Sequence, residues 1–203
     1  MAKSAAVPRQ SGQKWLMAIG RQRELSLLAI MFVLGAGVSM LAPQFLTVNN
    51  ISQVAALAAV VAVAAVGEAI VIITRGIDLS VEAMIGLVAY SIARSLELQL
   101  VDPVGALAMG LAIGLGLGMI NGLIVAVLKV PAIVATLGTL SIFRGILYVI
   151  AGPDQVPLAG LPEGFTDLSR ADIFGIPVFV LIAVGVVFVG SLFLRSTRFG
   201  RQV

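Results

Sequence analysis

The amino-acid sequence predicts an all-α, polytopic transmembrane helical bundle of about six spans, with both termini cytoplasmic. Three observations predict it. Of the 203 residues, 60% are hydrophobic and only 11% are charged. A soluble domain is about a quarter charged, so this inventory cannot build a water-facing surface. Apolar blocks of the ~20 residues needed to cross a hydrocarbon core recur along almost the whole chain. The cations gather on alternate connections between those blocks, the sorting expected because Lys and Arg resist export.

Residues 1–24 are polar and basic and read as a cytoplasmic tail with a short interfacial stretch at Trp15–Ile19. The run Leu25–Ala42 is longer than a signal-peptide core, Pro43 follows it, and more spans come after, so it reads as an uncleaved first helix. Asn50 and Gln53 have capping-box spacing for the second span, 54–73, which is alanine-rich and carries Glu68. A charged knot at Thr74–Leu79 leads to the third span, 80–95. Ser80 is placed to cap that helix, and Glu82 falls in its first turn, at the positive end of the dipole. The fourth span, 104–128, follows Asp102-Pro103. Lys129 then makes a one-residue hinge before Pro131, which suits a first helical turn. The fifth span, 131–151, is interrupted only by Arg144. A Pro/Gly/Asp-rich outer loop, 152–175, has room for a short helix at Phe165–Phe174. The sixth span is 176–194, and a basic tail, 195–203, follows.

This arrangement places Lys3, Arg9, Lys14, Arg21, Arg23, Arg75, Lys129, Arg195, Arg198 and Arg201 inside. Outside fall Arg94 and Arg170 with Glu97, Asp102, Asp154, Glu163, Asp167 and Asp172. A missed or extra span would scramble that sorting. The net charge of +3 therefore reads as membrane orientation and not as a nucleic-acid surface.

Enzyme chemistry has little to work with. Cysteine and histidine are absent, which removes thiol nucleophiles, disulfides, imidazole bases and the usual zinc sites. No G-x-x-x-x-G-K-[ST], H-E-x-x-H or G-x-S-x-G motif occurs, and no span carries a carboxylate pair. No catalytic residue, metal site or cofactor is expected in this chain.

The remaining candidates are polar residues and glycines within the spans. Gly110, Gly114, Gly118 and Gly122 recur every four residues, a stripe that lets a neighbouring backbone approach, whether for static packing or a moving contact. Glu68 and Arg144 each cost several kcal/mol if they face lipid, about 2.5–3.5 for Arg on insertion scales. Arg144 is placed to tie down loop carbonyls near Gly152–Pro153 or to face a substrate path. Glu68 is placed to partner Arg75 if its helix continues. Arg75, Gly76 and Asp78 read as a tight turn, with Gly76 supplying backbone freedom and Asp78 helping to cap the third helix. The same knot offers a contact surface to a cytoplasmic partner. Asn121, Thr136, Thr139 and Ser141 either bond back to helix carbonyls or, with Arg144, line a path for a hydroxylated solute.

Three stretches carry a family resemblance: TRGIDLS at 74–80, GLGMINGLIVAVLKVPAIVATLGTLSIFRG at 116–145, and RSTRFGR at 195–201. Together they resemble the permease subunits of bacterial ATP-driven sugar importers, the branch of ribose, xylose, rhamnose and autoinducer-2 permeases. VPAIVATLGTLSIFRG looks closest to the autoinducer-2 and rhamnose types. Glu82 departs from the pattern, since relatives usually have Gly there. The resemblance implies a bacterial inner-membrane subunit that pairs with a second permease subunit, identical or not. Cytoplasmic subunits would bind and hydrolyse ATP, and a periplasmic binding protein would deliver the solute. It also implies a cytoplasmic coupling helix and further spans after the FGR-like segment, so the chain reads as the N-terminal part of a permease.

The resulting expectation is a permease subunit working by alternating access, with a gate near Pro131 and receptor docking at 152–175. The alternatives are a non-transporting membrane scaffold, a truncated pseudogene product, or an independent channel. The channel fits worst, because no ring of like charge or filter-like loop is visible.

Overall fold

The computed structural model describes residues 23–197. The interfacial stretch at Trp15–Ile19 and the basic residues Lys3, Arg9, Lys14, Arg21, Arg198 and Arg201 lie outside the described residues. The described residues divide into two compact units, one ending at Gln53 and one beginning at Val54.

In the first unit, helix α1 runs Arg23–Leu41. Ala42 turns extended and Pro43 opens a 3-10 turn, Pro43–Leu46, because its ring cannot continue the helix. Helix α2 then spans Val48–Ile73. It begins earlier than the expected 54, which overturns the Asn50–Gln53 capping box. Thr47, extended at φ −69°, is the residue before the first turn, and its Oγ1 accepts the Asn50 N–H at 3.4 Å. Asn50 instead donates its side-chain amide to the Phe45 carbonyl at 2.8 Å.

The second unit continues with α3 (Val81–Glu97), α4 (Pro103–Ala126), α5 (Ala132–Ala151), a short α6 (Glu163–Arg170) and α7 (Val178–Ser196). Between α6 and α7 lies one departure from an all-α fold. Asp172–Ile173 (β1) pairs antiparallel with Ile176–Pro177 (β2). Phe174 and Gly175 make the two-residue turn, with φ of 56° and 79°, the pair of positive values that tight hairpins require. Asp172 closes it by accepting the Gly175 N–H at 3.0 Å.

Helix α3 packs most extensively on α5 and α4. Their shared core is Ala83, Leu87, Leu117 and Phe143, flanked by Met84, Val88, Ile113, Leu140 and Leu147. Most other large apolar side chains face outward, Leu115 at 71% and Val149 at 83% exposure among them. Such a surface suits lipid and not water. Among the described residues four helices, Val48–Ile73, Pro103–Ala126, Ala132–Ala151 and Val178–Ser196, are long and apolar enough to cross a membrane. The other two expected spans are shorter: Leu25–Leu41 is a shorter apolar helix, and α3 has 17 residues.

The start of α4 follows from two adjacent residues. Asp102 is extended and its Oδ1 accepts the Gly105 N–H at 2.9 Å, while Pro103 occupies the first turn, where no N–H is needed. A Cβ at Gly105 would lie 2.8 Å from that oxygen, so a larger residue there would make the Asp102 carboxylate shift. Asp102→Ala is expected to lower stability by about 1 kcal/mol and Asp102→Asn to restore it. Thermal midpoints in detergent check this, and an Ala variant matching wild type would show that the cap is idle.

Candidate functional site

Helix α2 ends by a backbone closure. Gly76 N–H bonds the Val71 carbonyl at 2.9 Å and Arg75 N–H the Ile72 carbonyl at 2.9 Å. The left-handed residue of this closure is Arg75, φ 63°, and not Gly76 as the sequence suggested. Gly76 is needed for space: a Cβ there would stand 3.0 Å from Val71 Cγ1 and 3.7 Å from Ala132. With the helix ended at Ile73, Arg75 does not continue the face of Glu68. The expected pair is absent, and Glu68 Oε1 is buried without a hydrogen-bond partner among the described residues.

From Gly76 the chain runs non-helically to Ser80 alongside α5. Gly76 adjoins Ala132 in the first turn of α5, and the Ile77 carbonyl accepts Thr136 Oγ1 at 3.1 Å. Beyond it Tyr90 reaches the Ala151 carbonyl at 3.5 Å, so α3 and α5 run parallel. The non-helical backbone thus enters the bundle past the end of α5. Inside a bilayer that is tolerated only where protein or an aqueous cavity satisfies the backbone. Here side chains do so.

Asp78 Oδ1 accepts both the Ser80 N–H at 2.8 Å and the Ser80 hydroxyl at 2.7 Å. Asn121 Nδ2, reaching across from α4, donates to Ser80 Oγ at 2.7 Å and to Asp78 Oδ2 at 3.4 Å. Thr139 Oγ1 donates to the Thr136 carbonyl at 3.3 Å. Ser80 is fully buried, and Asn121, Thr136 and Thr139 nearly so. Ser80 precedes α3 but makes no side-chain cap, which corrects that expectation. Asp78 supplies the cap-like contact instead, at the Ser80 N–H. Asn121 Oδ1 is buried with no partner among the described residues.

The sequence candidates therefore separate. Asn121 meets Asp78 and Ser80 in one cluster, Thr136 bonds the adjoining Ile77 carbonyl, and Thr139 bonds back to the Thr136 carbonyl of its own helix. Ser141 stands apart, exposed, and bonds back to the Leu137 carbonyl at 3.2 Å. Arg144 does not hold the 152–153 loop; its Nη2 donates to Glu82 Oε1 at 3.1 Å. Of the glycine stripe only Gly110 is buried against a neighbour, Ile92 and Val88 of α3, while Gly114, Gly118 and Gly122 have open space before them. Sequence reasoning missed Ser80 as the hub and Glu82 as the partner of Arg144. The short Asp-x-Ser spacing was the available signal for the first. No grouping of three or more His, Cys, Asp or Glu able to hold a metal occurs among the described residues.

The family profile described as "Branched-chain amino acid transport system / permease component" matches residues 50–203. The chain belongs to this permease family. The permease is 34% identical over 187 residues to Autoinducer 2 import system permease protein LsrC of Escherichia coli (strain SMS-3-5 / SECEC), covering 92% of this chain and 54% of that one. It is 36% identical over 183 residues to the protein of the same name from Enterobacter sp. (strain 638), covering 90% and 52%. The Salmonella typhi protein of that name is 34% identical over 187 residues, covering 92% and 53%. The permease spans about half the length of the curated relatives it matches. No solved structure matches it. With four long apolar helices, it is an integral membrane protein.

Proposed function

We propose that this chain is the membrane-spanning part of an ATP-driven, binding-protein-dependent importer of a sugar or sugar-like solute, working by alternating access. The observation that carries the reading is the match, over nine-tenths of the chain, to relatives named as autoinducer-2 import permeases. In this reading α1 and α3 complete six spans, with both termini in the bacterial cytoplasm and the protein in the inner membrane. In this reading the non-helical segment 76–80 precedes the 17 residues of α3 and crosses part of the membrane with it. A second permease subunit completes the path, cytoplasmic partners bind and hydrolyse ATP, and a periplasmic protein delivers the solute.

The test is uptake in vesicles carrying the chain in its full assembly, with labelled autoinducer-2 and labelled ribose as probes. Uptake of either that needs both ATP and the binding protein is the expected result. Uptake that persists without either would make this an independent channel. No uptake of any hydroxylated solute would leave the scaffold reading.

A further inference from the structure

We propose that the Glu82–Arg144 pair, with the face of α5 beside it, lines a water-filled solute path and contacts a neutral, hydroxyl-rich solute. The proposal rests on the permease reading above and adds to it a pair of contact residues.

The argument begins with depth. Arg144 lies twelve residues past Ala132 and seven before Ala151, which is ~18 Å and ~10 Å from the two ends of α5. Glu82, bonded to it at 3.1 Å, holds its carboxylate within arginine's reach of that level. Both side chains are nevertheless exposed on the bundle, Arg144 at 42% and Glu82 at 82%. Facing lipid, a charge at such depth costs about 2.5–3.5 kcal/mol on insertion scales and more by other measures. Something polar must therefore cover them.

The bonding of the pair favours water over protein. An ion pair sealed into a protein interface is tolerated when further hydrogen bonds satisfy its remaining lone pairs and protons. This pair has one bond, Nη2 to Oε1, among the described residues. The rest of the guanidinium and carboxylate has no hydrogen bond among the described residues.

The adjoining surface fits the same use. Ser141 and Tyr148 lie three and four residues from Arg144, on the same side of α5, and both are exposed. Gly138 and Gly145 have nothing within 4 Å of where a Cβ would stand. Ile142, Ile146 and Val149 occupy the other exposed side and suit lipid. The pair is neutral as a whole, offering guanidinium donors and carboxylate acceptors side by side. That matches an uncharged solute with several hydroxyls better than an ion.

These 203 residues hold no cysteine, and the single-cysteine variants are made in an otherwise cysteine-free background. Glu82→Cys, Ser141→Cys and Ile142→Cys are to be treated in membrane vesicles with a membrane-impermeant methanethiosulfonate. Ser141→Cys leaves the ion pair intact and guards against a misfolded Glu82 variant. Cysteines at 82 and 141 are expected to react at least about tenfold faster than at 142, because only a thiol in water ionises to the reactive thiolate. Equal, slow reaction at all three positions overturns the proposal. So does a disulfide joining position 141 of two copies, which would make this face a subunit contact.

Solute contact is read separately. Glu82→Gln is expected to raise the KM of uptake about tenfold, as loss of a hydrogen bond to a charged group implies, without shifting the thermal midpoint. An unchanged KM overturns the contact. Labelling needs no transport, so the two readings fail differently. A chain that takes up nothing yet labels at 82 and 141 sinks the importer and leaves the wet face standing.

Discussion

Asp78→Ala is expected to be the most damaging single substitution in the described structure, lowering stability by about 3 kcal/mol. Asp78 accepts the Ser80 N–H, the Ser80 hydroxyl and the Asn121 amide. Alanine leaves these donors around a fully buried serine, where water cannot replace the carboxylate. Each abandoned buried donor costs about 1–3 kcal/mol; Ser80 Oγ and Asn121 still have one another, which keeps the total near the lower end. For a chain of this size the loss corresponds to roughly 6–12 °C in the thermal midpoint. Asp78→Asn is expected to recover most of it. Its carbonyl keeps the Ser80 contacts, and the unpartnered Asn121 Oδ1 can turn to accept the new amide. Heating in detergent followed by size-exclusion chromatography measures the surviving fraction. If Asp78→Ala survives like wild type, the cluster does not hold the segment in place.

Gly110→Leu is the second large effect expected, at about 2–3 kcal/mol of destabilisation from overpacking. A Cβ at Gly110 already collides with Ile92 Cδ1 and meets Ile92 Cγ1 at 3.3 Å and Val88 Cγ1 at 3.5 Å. Those side chains form the α3–α4 contact, so a leucine must push the helices apart. Ile92 Cδ1 is the end of a flexible side chain, and Gly110→Ala is accordingly expected to cost less than half as much. Gly114→Ala, Gly118→Ala and Gly122→Ala are expected to be neutral or mildly stabilising in the chain by itself, because each has open space and alanine is the better helix former by ~0.5–1 kcal/mol. Equal losses at all four positions would contradict this ranking. A loss at Gly118 confined to the complete assembly would place a partner helix on that face.

The contrast within this stripe shows where sequence reading stops. A four-residue glycine period reports that one helix face is smooth. Whether α3 covers it depends on how the helices cross, and of the four glycines only Gly110 lies against α3. Arg144 and Glu68 teach the same lesson. A lone charge in an apolar span must find a partner, and the sequence signals that need without naming the partner. Glu68 and Arg75 share a face only while the helix continues, and the closure at Arg75 ends it. Arg144 was matched to the nearest loop along the chain, but a parallel neighbour sixty residues earlier brought Glu82 to it.

Asn121, Thr136 and Thr139 were legible as a group because amides and hydroxyls in apolar runs must bond to something. Ser141 carried the same signal and behaves differently, since two residues past Thr139 turn it to the opposite side of α5. Thr47 displaced Asn50 at the start of α2 for a local reason: both offer capping oxygens, and the extended backbone occurs at Thr47.

By itself the sequence determined the membrane class, the order of the long helices and the positions of their breaks. These depend on composition over a window and on Pro, Gly and Asp within a few residues, which act through local sterics and backbone hydrogen bonding. Only the tertiary structure decided which polar groups meet. The non-helical run from Gly76 to Ser80 sets how far α3 is advanced along α5. That offset carries Asp78 and Ser80 to Asn121, and Glu82 to Arg144, across separations of more than forty residues where no local rule applies.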